Sequence, residues 1–248
     1  MRRTALILTA LPLALGLTAC KQEAADGSAA GLTGQPVAKV AAPAGKAWSD
    51  TVTKTADGGY LMGNPNAPIK LLEFGALSCS HCAEFSEAGS AEIRDNFVNS
   101  GRVSFELRLH MNNALDVPAA LLATCGATEA VIPLSDQFWG WQKNMFTALQ
   151  QNQALFQSAE TMQPAQRFAT IAKAAGMDQF FASRGVAAGQ ASTCLADAAK
   201  ATALVAATDK ASRDMQVSGT PTFFLNGTKM DVNTWPTVKA ELEKAGAR

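Results

Sequence analysis

Residues 69–82, Ile-Lys-Leu-Leu-Glu-Phe-Gly-Ala-Leu-Ser-Cys-Ser-His-Cys, join a short apolar run to two cysteines three positions apart. The apolar run over residues 69–74 has the length and composition of a buried strand. A helix is expected to begin at Cys79 and to reach about Val98. The segment therefore predicts a strand that leads into the N-terminus of a helix, with both sulfurs on the first helical turn.

This arrangement favours thiol chemistry at Cys79. The unpaired backbone N–H groups at the start of a helix stabilise an anion, and the reactive species in disulfide exchange is a thiolate. We therefore expect a lowered pKa for Cys79, with His81 as an additional hydrogen-bond donor. Cys82 is expected to be less exposed and to close a disulfide with Cys79.

Two alternative roles for the Cys-x-x-Cys pair are less consistent with the sequence. One is half of a zinc site, but structural zinc usually takes four ligands from two spaced pairs. The other three cysteines are isolated, and the chain has only two histidines. The second role is that of an inert disulfide, which is disfavoured because such short loops are strained and reducible. No metal ion and no cofactor is expected.

Glu73 is the only charged residue near the end of the predicted strand before the cysteines. A buried acid below a Cys-x-x-Cys pair can accept or relay the proton of the inner thiol, Cys82. The alternative is a strand-end side chain that points to water.

A second segment, residues 218–224, places Thr220-Pro221 at the start of an apolar strand. Proline at that position is consistent with a cis peptide bond, although most X-Pro bonds are trans. A bend at Pro221 would present the backbone of Thr220 to an extended substrate.

The composition changes along the chain and divides it into five segments. A short cationic start and an apolar run predict an export signal, and a stretch rich in Ala, Gly and Pro without aromatic residues predicts a flexible tether. A middle section without strand-like alternation is predicted to hold four to six helices, between two parts that contain strands. The boundaries are 1–19 for the signal, 20–46 for the tether, 47–115 for the first mixed part, 116–213 for the helical insertion and 214–248 for the second mixed part.

Turn and cap signals refine this outline. Asp57-Gly58 and Asn226-Gly227 each predict a hairpin, residues 102–109 alternate as a strand, and Asp116 is a candidate N-cap. The predicted elements run in the order strand, helix, strand before the helical section and strand, strand, helix after it. This order describes a split αβ sandwich with an inserted helical section. Lysine plus arginine and aspartate plus glutamate number 21 each, so the chain lacks the basic surplus of a nucleic-acid binder.

Taken together, the motifs resemble the DsbA-like thiol:disulfide oxidoreductases, which are thioredoxin-fold proteins of the bacterial envelope with an inserted helical domain. The resemblance covers residues 60–245 and depends on Gly63-Asn64-Pro65-Asn66-Ala67-Pro68, Leu72-Glu73-Phe74, Cys79-Ser80-His81-Cys82 and Gly219-Thr220-Pro221-Thr222-Phe223. It implies an α/β, thioredoxin-like fold with an all-helical insertion.

The same resemblance implies the roles of individual residues. Cys79 would be the nucleophile, Cys82 the resolving cysteine and Glu73 the acid below the site, while Pro221 would be cis and Thr220 would contact the substrate backbone. The implied partners are exported proteins with thiols or disulfides and a membrane redox partner that recycles the pair.

The direction of the implied reaction is open, although an oxidase is expected. Ser80 stands where the family often has proline, and histidine before the second cysteine is similar to the oxidase branch. Threonine before the proline is similar to the isomerase branch. A disulfide isomerase or reductase, a non-catalytic lipoprotein chaperone or binding module, and a metal carrier remain alternatives.

The start of the chain carries a second resemblance. Leu17-Thr18-Ala19-Cys20 is similar to the lipobox of bacterial lipoproteins, which implies cleavage before Cys20 and lipid on its sulfur. The protein would then be anchored by lipid in the bacterial envelope and face the periplasm. A plain secretory signal cut elsewhere, or a short membrane anchor, is the alternative.

Two cysteines and one histidine lie outside these motifs. Cys125 and Cys194 are expected to form a structural disulfide, because distant cysteines of an exported chain usually pair. A second redox pair and two buried free thiols are the alternatives. His110 is expected to be a strand-end or surface residue without a catalytic role.

Overall fold

The computed structural model describes residues 34–248, and within them the centre of the fold is a six-stranded mixed sheet. The strands are β1 (Val52–Lys54), β2 (Tyr60–Gly63), β3 (Ile69–Gly75), β4 (Val103–Leu109), β5 (Thr222–Leu225) and β6 (Thr228–Lys229). They lie in the order β1-β2-β4-β3-β5-β6. β3 and β4 run parallel to each other, and their other neighbours are antiparallel.

The helices follow the predicted outline. They are α1 (Ser80–Glu92), α2 (Asp116–Ala123), α3 (Val131–Gln151), α4 (Gln153–Ser158), α5 (Pro164–Ala174), α6 (Met177–Ala182), α7 (Ala188–Leu195), α8 (Ala198–Asp214) and α9 (Trp235–Lys244). α1 continues as a π-helix over Ile93–Val98. In the described chain, seven α-helices lie between β4 and β5, more than the four to six predicted, because α4 and α6 are too short to show a hydrophobic period.

The alternation of side chains along β3 places Glu73 inside the molecule. Successive residues of a strand point to opposite faces of the sheet, so Glu73 shares a face with Ile69 and Leu71, which belong to the main core. Phe74 points to the other face and packs with Ala211 of α8. Glu73 is 1% exposed, so the alternative of a water-facing carboxylate is wrong.

α1 and α9 pack together at a glycine. A Cβ atom at Gly89 of α1 would lie 2.7 Å from Cδ2 of Trp235, so only glycine lets the indole ring approach the helix this closely. The ring also makes edge-to-face contacts with Phe85 and Phe97. This packing covers one face of the sheet and holds α1 in place.

The described chain begins with an N-terminal strap, residues 34–46, that lies against the folded body. The backbone N–H of Val37 donates to the carbonyl of Gly246 at 2.9 Å, and that of Val40 donates to the carbonyl of Ser100 at 2.9 Å. The prediction of a flexible tether over 20–46 is therefore wrong for this part, because backbone hydrogen bonds that local composition does not reveal attach it to the domain.

The predicted export signal, residues 1–19, and Cys20 lie outside the described residues, as do residues 21–33 of the predicted tether. Between residues 34 and 248, no helix is both long and apolar enough to cross a bilayer.

Candidate active site

Cys79 is the N-cap of α1 and is partly exposed, whereas Cys82 is completely buried one turn later. The backbone N–H of Cys82 donates to Cys79 Sγ at 3.4 Å. Both thiols are free in the structure. The site therefore presents one accessible sulfur and keeps a second one directly beneath the surface.

The surroundings of Cys79 stabilise its thiolate. Together they lower the pKa of Cys79 to about 5, with the thiol of Cys82 as the largest influence and partial burial opposing the shift. Hydrogen bonds from the Thr220 side chain and from the backbone N–H groups of Cys82 and His81 are the remaining contributions to this lowering. This confirms the direction expected from the helix N-terminus.

The opposite holds for the inner thiol. Burial raises the pKa of Cys82, and its hydrogen bond to Cys79 raises it further, because an anion at Cys82 would be desolvated and could not donate to Cys79. The charges of Glu73 and Cys79, when these groups are ionised, act in the same direction. Cys82 is therefore protonated while Cys79 is a thiolate, which makes the two sulfurs chemically unequal.

Glu73 is a neutral acid in this environment. Burial raises its pKa well above the usual value, and the charges of Asp136 and Cys79 add to the effect. Its Oε1 atom is buried without a hydrogen-bond partner in the described part of the chain. A protonated carboxyl group beneath the two sulfurs can donate and recover a proton as Cys82 changes state.

The bend predicted at Thr220-Pro221 lies beside the reactive sulfur. The peptide bond between these residues is cis. Cys79 Sγ is 3.1 Å from the carbonyl oxygen of Thr220 and, as a thiol, donates to it. The structure thus brings Thr220 and Pro221 to the site, although Thr220 lies 141 residues after Cys79 in the sequence.

Asp116, at the start of the helical insertion, fixes the loop that leads to Cys79. Its carboxylate accepts hydrogen bonds from Ser78 N (2.8 Å) and Ser78 Oγ (3.0 Å), and from the backbone N–H groups of Asn112 (2.9 Å) and Asn113 (3.0 Å). The prediction of Asp116 as an N-cap is wrong, because Leu115 takes that position and the Asp116 side chain turns away from α2.

Two residues of α3 hold the same loop from another side. Trp139 Nε1 donates to the carbonyl of Ala76 at 2.9 Å, and Gln142 Nε2 donates to the carbonyls of Leu77 (2.8 Å) and Cys79 (2.9 Å). Sequence reasoning did not assign these roles. The only local signal is that a tryptophan and a glutamine three positions apart share one face of a helix.

The two histidines occupy different environments. The imidazole of His81 is exposed, and its contribution to the Cys79 thiolate comes through its backbone N–H. His110 directly follows β4, as expected of a strand-end residue, but it is 6% exposed with Phe74 at its edge, so the alternative of a surface position is wrong. Its Nδ1 lies 2.9 Å from Asn112 Oδ1.

The other two cysteines of the described chain are joined. Cys125, just after α2, and Cys194, in α7, form a disulfide that closes within the helical insertion, so the alternative of two free thiols is wrong. Within residues 34–248 no group of three His, Cys, Asp or Glu side chains is placed to hold a metal ion.

A family model described as Thioredoxin matches residues 55–244, which include every strand from β2 to β6 and both Cys79 and Cys82. The chain belongs to the thioredoxin family. The match confirms the thioredoxin-like fold expected from the sequence, with the helical insertion between β4 and β5.

Solved structures of this fold are similar to the chain. A protein-disulfide isomerase from Novosphingobium aromaticivorans is 29% identical with a TM-score of 0.71, and the match covers 76% of this chain and 99% of that one. The alpha-DsbA1 of Wolbachia pipientis is 16% identical with a TM-score of 0.60, over 75% of this chain and 89% of that one. The second likeness concerns the thioredoxin fold alone.

A curated relative of the same family is longer. A provisionally named protein-disulfide oxidoreductase from Rickettsia conorii is 23% identical over 192 residues, which is 77% of this chain and 62% of that protein. The chain therefore spans less than two thirds of the length of the curated relative that it matches.

Proposed function

We propose that this protein is a thiol:disulfide oxidoreductase that exchanges disulfides with protein substrates through Cys79 and Cys82. The observation that carries the proposal is the pairing of an accessible sulfur, whose pKa is lowered to about 5, with a buried sulfur whose pKa is raised. The names of the similar proteins from Novosphingobium and Rickettsia support the same activity.

The proposed direction is oxidation of the substrate. A substrate thiolate attacks Cys79 Sγ in the Cys79–Cys82 disulfide, and the electron pair of the broken S–S bond passes to Cys82. Glu73 supplies the proton that Cys82 needs. A second substrate thiolate then attacks the substrate sulfur of the mixed disulfide and releases Cys79 as a thiolate.

At the end of this cycle the enzyme has gained two electrons and the substrate has gained one disulfide. The low pKa of Cys79 supports the direction, because whatever stabilises its thiolate stabilises the reduced enzyme and makes the enzyme disulfide a stronger oxidant. Thr220 is proposed to contact the substrate backbone beside the reacting sulfur.

The test is oxidation of a peptide dithiol together with trapping of the intermediate. Wild-type protein should oxidise the peptide, the Cys79→Ser variant should be inactive, and the Cys82→Ser variant should accumulate a mixed disulfide through Cys79. Full activity of Cys79→Ser would overturn the proposal. No exchange by wild-type protein would favour a non-catalytic chaperone or binding module of this fold.

An isomerase is the second candidate, because the Novosphingobium protein carries that name at 29% identity. The reduction potential of the Cys79/Cys82 pair and refolding of a scrambled disulfide protein separate the two. Rapid dithiol oxidation with little reshuffling supports the oxidase, and the reverse result supports the isomerase.

We also propose that Cys20 is lipidated and that the protein is exported, anchored in the bacterial envelope and faces the periplasm, where a membrane redox partner recycles the pair. The sequence around Cys20 supports this. Labelling of cells with a fatty-acid analogue should mark the wild-type protein and the Cys79→Ser control, whereas Cys20→Ser should be unlabelled. Labelling of Cys20→Ser would contradict the anchor.

A further inference from the structure

A line of hydrogen bonds runs from the buried end of β4 to the active-site surface. His110 Nδ1 lies 2.9 Å from Asn112 Oδ1, and Asn112 Nδ2 donates to Thr220 Oγ1 at 2.7 Å. The Asn112 side chain is exposed, while its backbone N–H is fixed by Asp116. The last member of the line, Thr220, is the residue whose carbonyl oxygen lies beside Cys79 Sγ.

The orientation of the Asn112 amide decides what the Thr220 hydroxyl can do. A threonine hydroxyl has one hydrogen to donate, and an asparagine amide has a donor end and an acceptor end. With the NH₂ group towards Thr220, the hydroxyl oxygen accepts and its hydrogen is free for another partner. With the amide reversed, Asn112 Oδ1 would accept that hydrogen instead.

The tautomer of His110 that carries its hydrogen on Nδ1 selects the first orientation. Its Nδ1 donates to Asn112 Oδ1, and the NH₂ group must then face Thr220. Nε2 of His110 is buried without a hydrogen-bond partner in the described chain, so a hydrogen placed there would be unsatisfied, and the proposal takes the Nδ1–H tautomer. The imidazole is nine-tenths buried, with Phe74 at its edge, so its ring is held in place by packing. His110 thus fixes the orientation of the Asn112 amide, and that amide leaves the hydrogen of the Thr220 hydroxyl free for another acceptor.

The sulfur of Cys79 is the neighbouring acceptor that this hydrogen can reach once the thiol has ionised. In the part of the chain that the structure describes, Thr220 Oγ1 makes its hydrogen bond to Asn112 as an acceptor, and Cys79 Sγ, 3.1 Å from the carbonyl oxygen of Thr220, is a thiol that donates to that carbonyl. As a thiolate the sulfur has no hydrogen to donate and accepts instead, in agreement with the lowering of the pKa of Cys79 by the Thr220 side chain. A hydrogen bond to an ionised sulfur is stronger than one to a neutral group.

We propose that Asn112 and His110 are positioning residues that aim the Thr220 hydroxyl at the thiolate of Cys79. In the described chain the hydrogen bonds of their side chains go to each other and to Thr220 and not to Cys79 or Cys82, so they act through Thr220. The inference rests on the proposed function, since it assigns both residues to the reaction of Cys79.

The decisive variant is Asn112→Asp, which keeps the shape of the side chain but replaces the donor with an acceptor. Its carboxylate would take the Thr220 hydroxyl hydrogen away from Cys79. The control is Asn113→Asp, which adds the same charge at the next residue, also exposed, whose amide binds Ser78 Oγ and not Thr220. The readout is the alkylation rate of Cys79 in reduced protein against pH, followed on its own peptide by mass spectrometry.

The pH of half-maximal alkylation should rise by about one unit in Asn112→Asp, and by clearly less in Asn113→Asp. In a Thr220→Val background, the two substitutions should have equal effects, because the hydroxyl that distinguishes them is gone. Equal effects in the wild-type background, or a difference that persists without the hydroxyl, would overturn the proposal.

His110 is tested by its conservative replacement. His110→Asn retains a donor near the position of Nδ1 and should keep the alkylation midpoint of wild type, whereas His110→Leu should raise it. An unchanged alkylation midpoint in a folded His110→Leu protein would show that His110 has no positioning role. If that variant does not fold, the Asn112 variants decide the proposal. These measurements need no substrate, so failure of the positioning role is distinct from failure of the exchange activity, which the wild-type peptide assay reports.

Discussion

Replacement of Glu73 by glutamine is expected to change how the stability of the reduced protein depends on pH. The side chain is 1% exposed and its pKa is raised well above the usual value, chiefly by burial. Folded protein therefore holds a proton on Glu73 at pH values where unfolded protein has released it. Glutamine has nearly the same size and cannot ionise, so the substitution removes this difference while leaving the packing in place.

The sign and size follow from proton linkage. Where the folded state binds one more proton than the unfolded state, the free energy of unfolding falls as pH rises, by up to about 1.4 kcal/mol per pH unit. Between about pH 5 and about pH 7, wild type should therefore lose up to about 3 kcal/mol relative to Glu73→Gln. The raised pKa of the buried Asp116 affects both proteins and cancels in the comparison.

The assay is denaturant unfolding of both reduced proteins across this pH range. Glu84→Gln on the exposed side of α1 is the matched control and should follow wild type within about 0.5 kcal/mol at each pH. If wild type and Glu73→Gln instead show parallel stability profiles, Glu73 is ionised or hydrated in the folded protein. Its assignment as a neutral proton donor to Cys82 would then be refuted.

Three further outcomes are expected. Because the pKa of Cys79 is lowered to about 5, alkylation of Cys79 in reduced protein should be half-maximal near that pH, and a midpoint at the ordinary thiol value would contradict the site electrostatics. The stability that the thiolate contributes should be present above the ordinary thiol pKa and disappear as pH falls through about 5. Gly89→Ala should lower the free energy of unfolding by about 1–3 kcal/mol, since its methyl group would overlap the indole of Trp235 in α9. The control Gly140→Ala, in the open middle of α3, should be neutral or stabilising by up to about 1 kcal/mol. Thermal unfolding compares the two variants, and equal effects would show that α1 and α9 are not in close contact. Replacing Cys125 and Cys194 together by alanine should cost about 2–4 kcal/mol in denaturant unfolding while peptide oxidation persists, and loss of exchange activity in a folded variant would instead indicate that this disulfide takes part in the reaction.

The sequence predicted the strands and the redox pair because their signals are local. The apolar run of β3 stands directly before Cys79, and Asn226-Gly227 provides the two positive φ angles that its hairpin turn requires. The burial of Glu73 follows from the alternation of side chains along β3, once the structure shows which face of the sheet is covered by the core. Local motifs were therefore sufficient to predict individual strands and the position of Cys79 and Cys82 at the start of a helix.

The supports of the site were not predictable in this way. Asp116 and Gln142 bind backbone groups of the loop before Cys79, and Asn112 binds a side chain more than one hundred residues away. Such contacts depend on how the helical insertion packs against the sheet, which no local pattern reports. Polar residues with these roles look like ordinary cap or surface residues until the packing is known.

The contacts of the N-terminal strap place the start of the described chain at one end of the sheet. Val40 is bonded to Ser100 in the turn before β4, whereas the Cys79 loop follows the opposite end of the parallel strand β3. Seven residues of strand, about 20 Å, separate these two ends. A bead or a fusion partner joined directly to residue 34 would therefore attach at the end of the sheet away from Cys79 and leave the Cys79 sulfur accessible to large and slowly diffusing polypeptides.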